Sequence, residues 1–164
     1  VPDNPEDERP YYLGANGLPF RILPGTCFFH HADSFAMIRG GHIDITVLGA
    51  LQVSEKGDLA NWTFPERGIG NIGGAMDLAA GCRRVFVAME HTTPKGQFKI
   101  LRRCSYPLTA ARCVDLIFTD ISVIEVAPSG LVLKELAPSW SVEEVQALTE
   151  PKLIAAPDLK EMEL

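Results

Sequence analysis

No apolar run in these 164 residues is long enough to span a membrane, and no basic segment followed by an apolar core opens the chain. Membrane insertion is therefore not indicated. Positive charge is also scarce: 15 Lys and Arg stand against 21 Asp and Glu, a formal net charge of −6. Nucleic acid is excluded as the main partner, because neutralising phosphates needs a concentrated basic face. The local basic clusters, Arg83-Arg84 and Lys99 to Arg103, read as strand flanks or solvent-facing groups. Cys27, Cys82, Cys104 and Cys113 lie far apart with no C-x-x-C pair, so neither a zinc site nor a disulfide framework is signalled. Reduced thiols in a cytoplasmic protein fit this pattern. There is also no serine in nucleophile-elbow spacing and no Walker-type phosphate loop.

What is present is a chain that is 46% hydrophobic and 22% charged, enough for one globular core. We read it as a single domain, 1–164, with an entry loop over 1–19, an α/β core over 20–149 and a tail over 150–164. The opening from Val1 to Pro10 is proline-rich and charged, and it resembles a loop entered midway.

Around the Pro24-Gly25 turn, Phe20 to Leu23 and Cys27 to Phe29 read as short strands or extended segments. Asp33 and Ser34 can cap a helix carrying Phe35, Met37 and Ile38, which Gly40-Gly41 would stop. The β-branched run Ile43 to Gly49 has the composition of a strand in a buried sheet. Gln52 to Gly70 is polar and glycine-rich, of a length expected for a functional loop.

The pair Gly73-Gly74 leads into an amphipathic run, Ala75 to Ala80, and predicts a turn opening a helix. Backbone N–H groups at such a turn can approach a phosphate or a developing oxyanion. Strands are expected at Arg84 to Met89, Leu116 to Thr119, Ser122 to Val126 and Leu131 to Leu136. The last two are joined by the hairpin signal Ala127-Pro128-Ser129-Gly130. Ser141 with Glu144 three residues on is a capping box, so a final helix follows. The order implies an α/β fold: an open, mixed, largely parallel sheet with helices on both faces.

Three groupings of polar residues invite chemistry. His30-His31 with Asp33 lacks further ligands at metal spacing, and neighbouring histidines on an extended segment point apart, so no metal is expected. Glu90-His91, past the carboxyl end of a strand, reads as an acid/base pair or as structural hydrogen bonding; His42 is equally ambiguous. Within Asp58-Leu59-Ala60-Asn61-Trp62, the Asn61 amide could orient a substrate.

Six strings in order resemble one family: Leu23-Pro24-Gly25, Ser34 to His42, Gly57 to Trp62, Gly73 to Leu78, Met89-Glu90-His91 and Pro107-Leu108-Thr109. They are similar to the B subunit of 3-oxoacid CoA-transferases, from about Leu23 to Thr149. Phe28 to Asp33 and Cys104 to Pro107 look most like the 3-oxoadipate branch. The resemblance implies the CoA-transferase fold, of the NagB/RpiA-like kind, and an A-subunit partner in a hetero-oligomer. It implies ping-pong transfer of coenzyme A between succinyl-CoA or another dicarboxylate donor and a 3-oxoacid, 3-oxoadipate first and acetoacetate next. A glutamyl-CoA thioester is the intermediate. Coenzyme A enters as substrate, and no permanent cofactor is implied. The family's second glycine in the Gly-Gly-Ala-Met-Asp-Leu motif supplies an oxyanion-hole N–H, beside a glutamine of the A subunit; here it is Gly74. Gly73 and Asn61 become candidate substrate or CoA contacts.

The family's nucleophilic glutamate lies in a Ser-Glu-Asn-Gly motif, for which Gly14-Ala15-Asn16-Gly17 is the nearest lookalike. Either Ala15 replaces the glutamate, or this stretch matches a later Asn-Ala-Gly-Lys segment just before the Leu-Pro-Gly turn. Spacing selects the second, since the glutamate motif stands on the order of thirty residues further upstream. The expected nucleophile then precedes Val1, and Gly17 or its neighbour replaces a lysine that can contact CoA. A non-catalytic scaffold with this fold and a thioester hydrolase are the alternatives.

Overall fold

The computed structural model describes residues 12–14, 17–20, 22–68 and 70–163. The entry stretch Val1 to Pro10, together with Ala15 and Asn16 of the glutamate lookalike, lies outside the described residues. Two compact units divide the chain, Val1–Asp33 and Ser34–Leu164. They do not follow the 1–19, 20–149 and 150–164 division expected from composition.

In the first unit, Leu23 to Thr26 makes the expected turn. Thr26 N–H donates to Leu23 O at 3.0 Å, with Gly25 at φ 92 as a type II turn requires. Of the two readings for the flanking Phe20 to Leu23 and Cys27 to Phe29, the strand is not formed among the described residues. Aromatic composition favours a strand only where a partner strand exists, and the one bridge among the described residues of this unit is Leu13 with Pro19. Phe28 and Phe29 are exposed, the former beside the Tyr12 ring at 4.9 Å.

The second unit is built on a six-stranded sheet. Its strands are β1 (Ile45–Gly49), β4 (Arg84–Ala88), β6 (Val114–Phe118), β7 (Ser122–Ala127), β8 (Gly130–Leu136) and β9 (Leu153–Glu161), adjacent in that order. The pairs β1/β4, β4/β6 and β8/β9 are parallel, whereas β6/β7 and β7/β8 are antiparallel. The sheet is therefore mixed and mostly parallel, as expected. Pro128-Ser129 forms the two-residue hairpin between Ala127 and Gly130.

Three stretches differ from their sequence reading. First, the polar Gln52 to Gly70 stretch holds β2 (Gln52–Ser54), β3 (Leu59–Ala60) and a 3₁₀ turn, Pro65–Arg67. With β5 (Ile100–Leu101) these strands form a second, three-stranded sheet. Val53, Leu59 and Ile100, one from each strand, are fully buried in the same apolar cluster as Val87, Ile117 and Ile124 of the large sheet. Elements this short show no hydrophobic period.

Second, the presumed tail is β9. Pro157 is tolerated because β9 is an edge strand, and the register jumps there from Leu133↔Ala155 to Glu135↔Lys160, a bulge around the proline. Third, β1 is buried on one face alone. It pairs only with β4 among the described strands, and Ile45 and Val47 remain 48% and 62% exposed.

Helix α1 (His31–Arg39) ends in a Schellman motif. His42 N–H donates to Met37 O at 3.1 Å and Gly41 N–H to Ile38 O at 3.0 Å, with Gly41 at φ 72. Helix α2 (Ala75–Gly81) runs directly into β4. Its start therefore lies toward the carboxyl ends of β1 and β4, the edge where open α/β sheets place ligands. Helix α3 (Val142–Ala147) carries the expected capping box: Ser141 N–H donates to Glu144 Oε2 at 2.9 Å and Glu144 N–H to Ser141 Oγ at 3.3 Å.

The α1–α2 contact is tight enough to fix one residue type. A Cβ on Gly81 would stand 2.4 Å from the Ile38 carbonyl oxygen, a backbone atom that cannot rotate away. Gly81→Ala is expected to lower stability by about 1–3 kcal/mol in urea unfolding. Gly49→Ala, whose added Cβ meets nothing within 4 Å, is expected to stay within about 0.5 kcal/mol.

Candidate functional site

The Gly73-Gly74 turn divides its tasks between the two residues. Gly73 takes φ 54 and donates its N–H to Asn71 Oδ1 at 3.0 Å. Gly74 caps α2 at φ −92, ψ 6, a backbone any residue can adopt. Conformational freedom is thus needed at Gly73, and close approach at Gly74. A Cβ on Gly74 would stand 3.1 Å from Phe35 Cζ. The Gly74 carbonyl accepts from Leu78 N–H at 3.0 Å, whereas its N–H has no acceptor among the described residues. That free donor at a helix start is what an incoming oxyanion requires.

Helix α1 supports the turn with one face. Phe35 covers Gly74, and Arg39, one turn on, donates Nε–H to Asp77 at 2.7 Å while stacking over Phe35 at 5.6 Å. Two of the strings that carry the resemblance, Ser34 to His42 and Gly73 to Leu78, therefore meet in space.

Two further strings meet likewise. Asn61 accepts from Thr109 Oγ1 at 2.6 Å through Oδ1 and donates Nδ2–H to Gly49 O at 3.0 Å. Its backbone N–H donates to Thr109 Oγ1 at 3.1 Å, and Thr109 N–H donates to Leu59 O at 2.7 Å. The amide thus clamps the end of β1 to β3 and the 107–109 loop, leaving one Nδ2 hydrogen for a ligand. Asp58 is engaged too, accepting from Ser54 Oγ at 2.8 Å and from Arg112 N–H at 3.0 Å.

His91 is 1% exposed and belongs to the core. Thr149 Oγ1 spends its hydrogen on Val145 O at 2.8 Å, so it accepts from His91 Nε2–H at 2.9 Å. Nδ1 then accepts, from the Thr119 hydroxyl at 3.0 Å or the Ser122 hydroxyl at 3.4 Å. Burial lowers the imidazole pKa from 6.5 to about 4, against a smaller upward pull from Asp120 and with a further lowering by Lys99. Of the two sequence readings, structural hydrogen bonding is the one this geometry realises. His30 and His31 are exposed, and no cluster of three metal-ligating side chains occurs among the described residues.

Two of the thiols, Cys104 and Cys113, are held protonated. Burial pushes Cys104 up to about 12 and Cys113 up to about 11, with Asp58 adding to both, so neither is a ready nucleophile. One feature escaped the sequence altogether. Buried Gln52 reaches across to the 103–108 loop, its Oε1 accepting from Ser105 N–H at 2.9 Å and Tyr106 N–H at 3.0 Å. No local pattern announces a contact between residues so far apart.

This constellation of sheet, turn and paired strings has known counterparts. The coenzyme A transferase profile matches residues 8–148, and the chain belongs to that family. Among its relatives, the B subunit of 3-oxoadipate CoA-transferase from Pseudomonas putida is 50% identical over 151 residues, 92% of this chain and 71% of the relative. The mouse mitochondrial succinyl-CoA:3-ketoacid coenzyme A transferase 2B is 51% identical over 153 residues, 92% of this chain and 29% of the relative. In fold, the chain is similar to acyl-CoA transferase YdiF of Escherichia coli O157:H7 in a thioester complex with CoA. The TM-score is 0.73 at 20% identity, over 93% of this chain and 33% of that one. The chain thus spans most of the length of the bacterial relative, whereas it covers only about a third of these longer enzymes. No helix among the described residues is long and apolar enough to cross a membrane.

Proposed function

We propose that this chain works as the B-subunit portion of a cytoplasmic CoA-transferase. It moves coenzyme A from succinyl-CoA or another dicarboxylate thioester to a 3-oxoacid, with 3-oxoadipate favoured over acetoacetate. The observation that carries the substrate choice is the 50% identity to a 3-oxoadipate CoA-transferase over nearly the whole chain. The unbonded Gly74 N–H supports the reaction type. In this reading a glutamate carboxylate, supplied by a B-subunit segment upstream of Val1, attacks the donor thioester, and the resulting glutamyl-CoA thioester passes CoA to the acceptor acid. Gly74 N–H holds the oxyanion of each attack together with a glutamine of an A subunit, while Gly73 and Asn61 place substrate. The uncovered Ile45 and Val47 face of β1 fits a protein that is buried in a larger assembly.

The test is CoA exchange by the assembly of this chain, its upstream segment and an A subunit. Incubated with succinyl-CoA and 3-oxoadipate, the assembly is expected to yield 3-oxoadipyl-CoA and succinate. No exchange would leave the non-catalytic scaffold as the better description. Release of free CoA without an acceptor acid would identify a hydrolase.

A further inference from the structure

A cavity of about 460 Å³ is lined by Asp58 from the β2–β3 connection, Pro65 from the 3₁₀ turn after β3, and Arg103, Tyr106, Pro107 and Leu108 from the loop after β5. We propose that this cavity is a subsite for the anionic end of a substrate whose body is flat or apolar, with Arg103 as counter-charge and Tyr106 as platform. The proposal rests on the transferase reading for its choice of ligand, because both reactants of that reaction end in anions.

Four observations support it. The cavity is preformed, because Gln52 fixes Ser105 and Tyr106 through their backbone N–H groups and Cys104 Sγ–H donates to Asp58 O at 3.6 Å. Arg103 is exposed at the rim and forms no ion pair among the described residues, in a chain whose acids outnumber its bases. A guanidinium without a partner, on an ordered loop, is suited to paired hydrogen bonds with phosphate or carboxylate. The Asp58 carboxylate would oppose an anion, yet Ser54 Oγ and Arg112 N–H already donate to its two oxygens. Finally, Tyr106 is held edge-on by Phe64 at 5.8 Å and 67°, which steadies its ring beside the apolar Pro65, Pro107 and Leu108.

Two anions share this chemistry: the phosphates of the nucleotide end of a CoA thioester, and the distal carboxylate of a dicarboxylic acceptor. Titrating the chain with adenosine 3′,5′-bisphosphate and, separately, with adipate distinguishes them by calorimetry. One of the two is expected to bind, and Arg103→Ala to weaken that binding about tenfold or more. Tyr106→Ala is expected to weaken it less, and Lys152→Ala, a charge-matched change elsewhere on the surface, not at all. In the assembled enzyme Arg103→Ala should raise KM for the matching reactant while kcat stays unchanged. The subsite is overturned if neither probe binds, if Lys152→Ala loses as much as Arg103→Ala, or if Arg103→Ala binds both probes like the parent. CoA exchange with unchanged KM values in Arg103→Ala would likewise remove the subsite and leave the transferase reading intact. Absence of exchange in the parent assembly would remove the transferase reading, with the titration still deciding the subsite.

Discussion

Replacing His91 by alanine is expected to cost about 3–5 kcal/mol of unfolding free energy, because a fully buried ring is removed and its hydroxyl partners on Thr149 and Thr119 lose their hydrogen-bond complement. The same ring sets an acid limit. Folded, the imidazole resists protonation down to about pH 4, while the unfolded chain takes up that proton near pH 6.5. Below pH 6.5 the unfolded state therefore binds more protons, and stability falls until the folded ring itself titrates. The loss is about 3 kcal/mol across this window, and above it the group contributes no slope. The main cause is burial, which penalises the charged ring; in keeping with it, Thr119 Oγ1 already accepts from Ile121 N–H and Ser122 N–H, at 3.3 and 3.0 Å, and has little left to offer a second ring proton at Nδ1. Urea unfolding of the parent and of His91→Gln at intervals from pH 7.5 to 4 isolates this contribution. The difference between the two should narrow by about 3 kcal/mol as the pH falls, and a constant difference would show that His91 is not the titrating group.

The same residue illustrates which features the sequence made legible. Its place after a β-branched run put it at the carboxyl end of β4, but only the packing of α3 and the β6–β7 turn decides that it is enclosed. Long, β-branched elements were readable: β4, β6, β7 and β8, the Pro128-Ser129 hairpin, and the Ser141–Glu144 cap each carry a local pattern strong enough to survive tertiary context. Elements that depend on a distant partner were not. Val53, Leu59 and Ile100 are core residues whose strands are too short to show a period. β9 hides behind Pro157 and its charged neighbours because edge strands tolerate both. Phe20 to Phe29 has strand composition without a strand to pair with. At the site, the Gly-Gly doublet was visible, but which glycine carries the positive φ was not, since that depends on the Asn71 side chain and on Phe35.

That division between Gly73 and Gly74 gives the sharpest test of the oxyanion assignment. Alanine at 74 keeps the backbone N–H and adds a Cβ against Phe35 at 3.1 Å, a contact the ring of a half-buried side chain can relieve by tilting. Proline at 74 adds a comparable Cβ and deletes the N–H, which costs no internal hydrogen bond because that donor has no acceptor among the described residues. The φ of −92 at Gly74 is within reach of the proline ring with a modest shift. In the assembled enzyme, Gly74→Pro is expected to reduce kcat by about 10²–10³-fold, the usual effect of losing one oxyanion donor, while Gly74→Ala falls by about tenfold or less. Gly73→Ala separates backbone strain from chemistry: forcing a Cβ to φ 54 should cost about 1–2 kcal/mol of stability with a smaller effect on turnover than proline at 74. Unfolding curves for all three variants establish that each is folded under the assay conditions. Should the proline variant prove unfolded, Gly74→Val decides instead, because its bulk must displace Phe35 and with it the N–H; adding Phe35→Leu should then recover turnover. Equal turnover in the alanine and proline variants would remove the Gly74 N–H from the reaction, and the doublet would be left as the turn that starts α2.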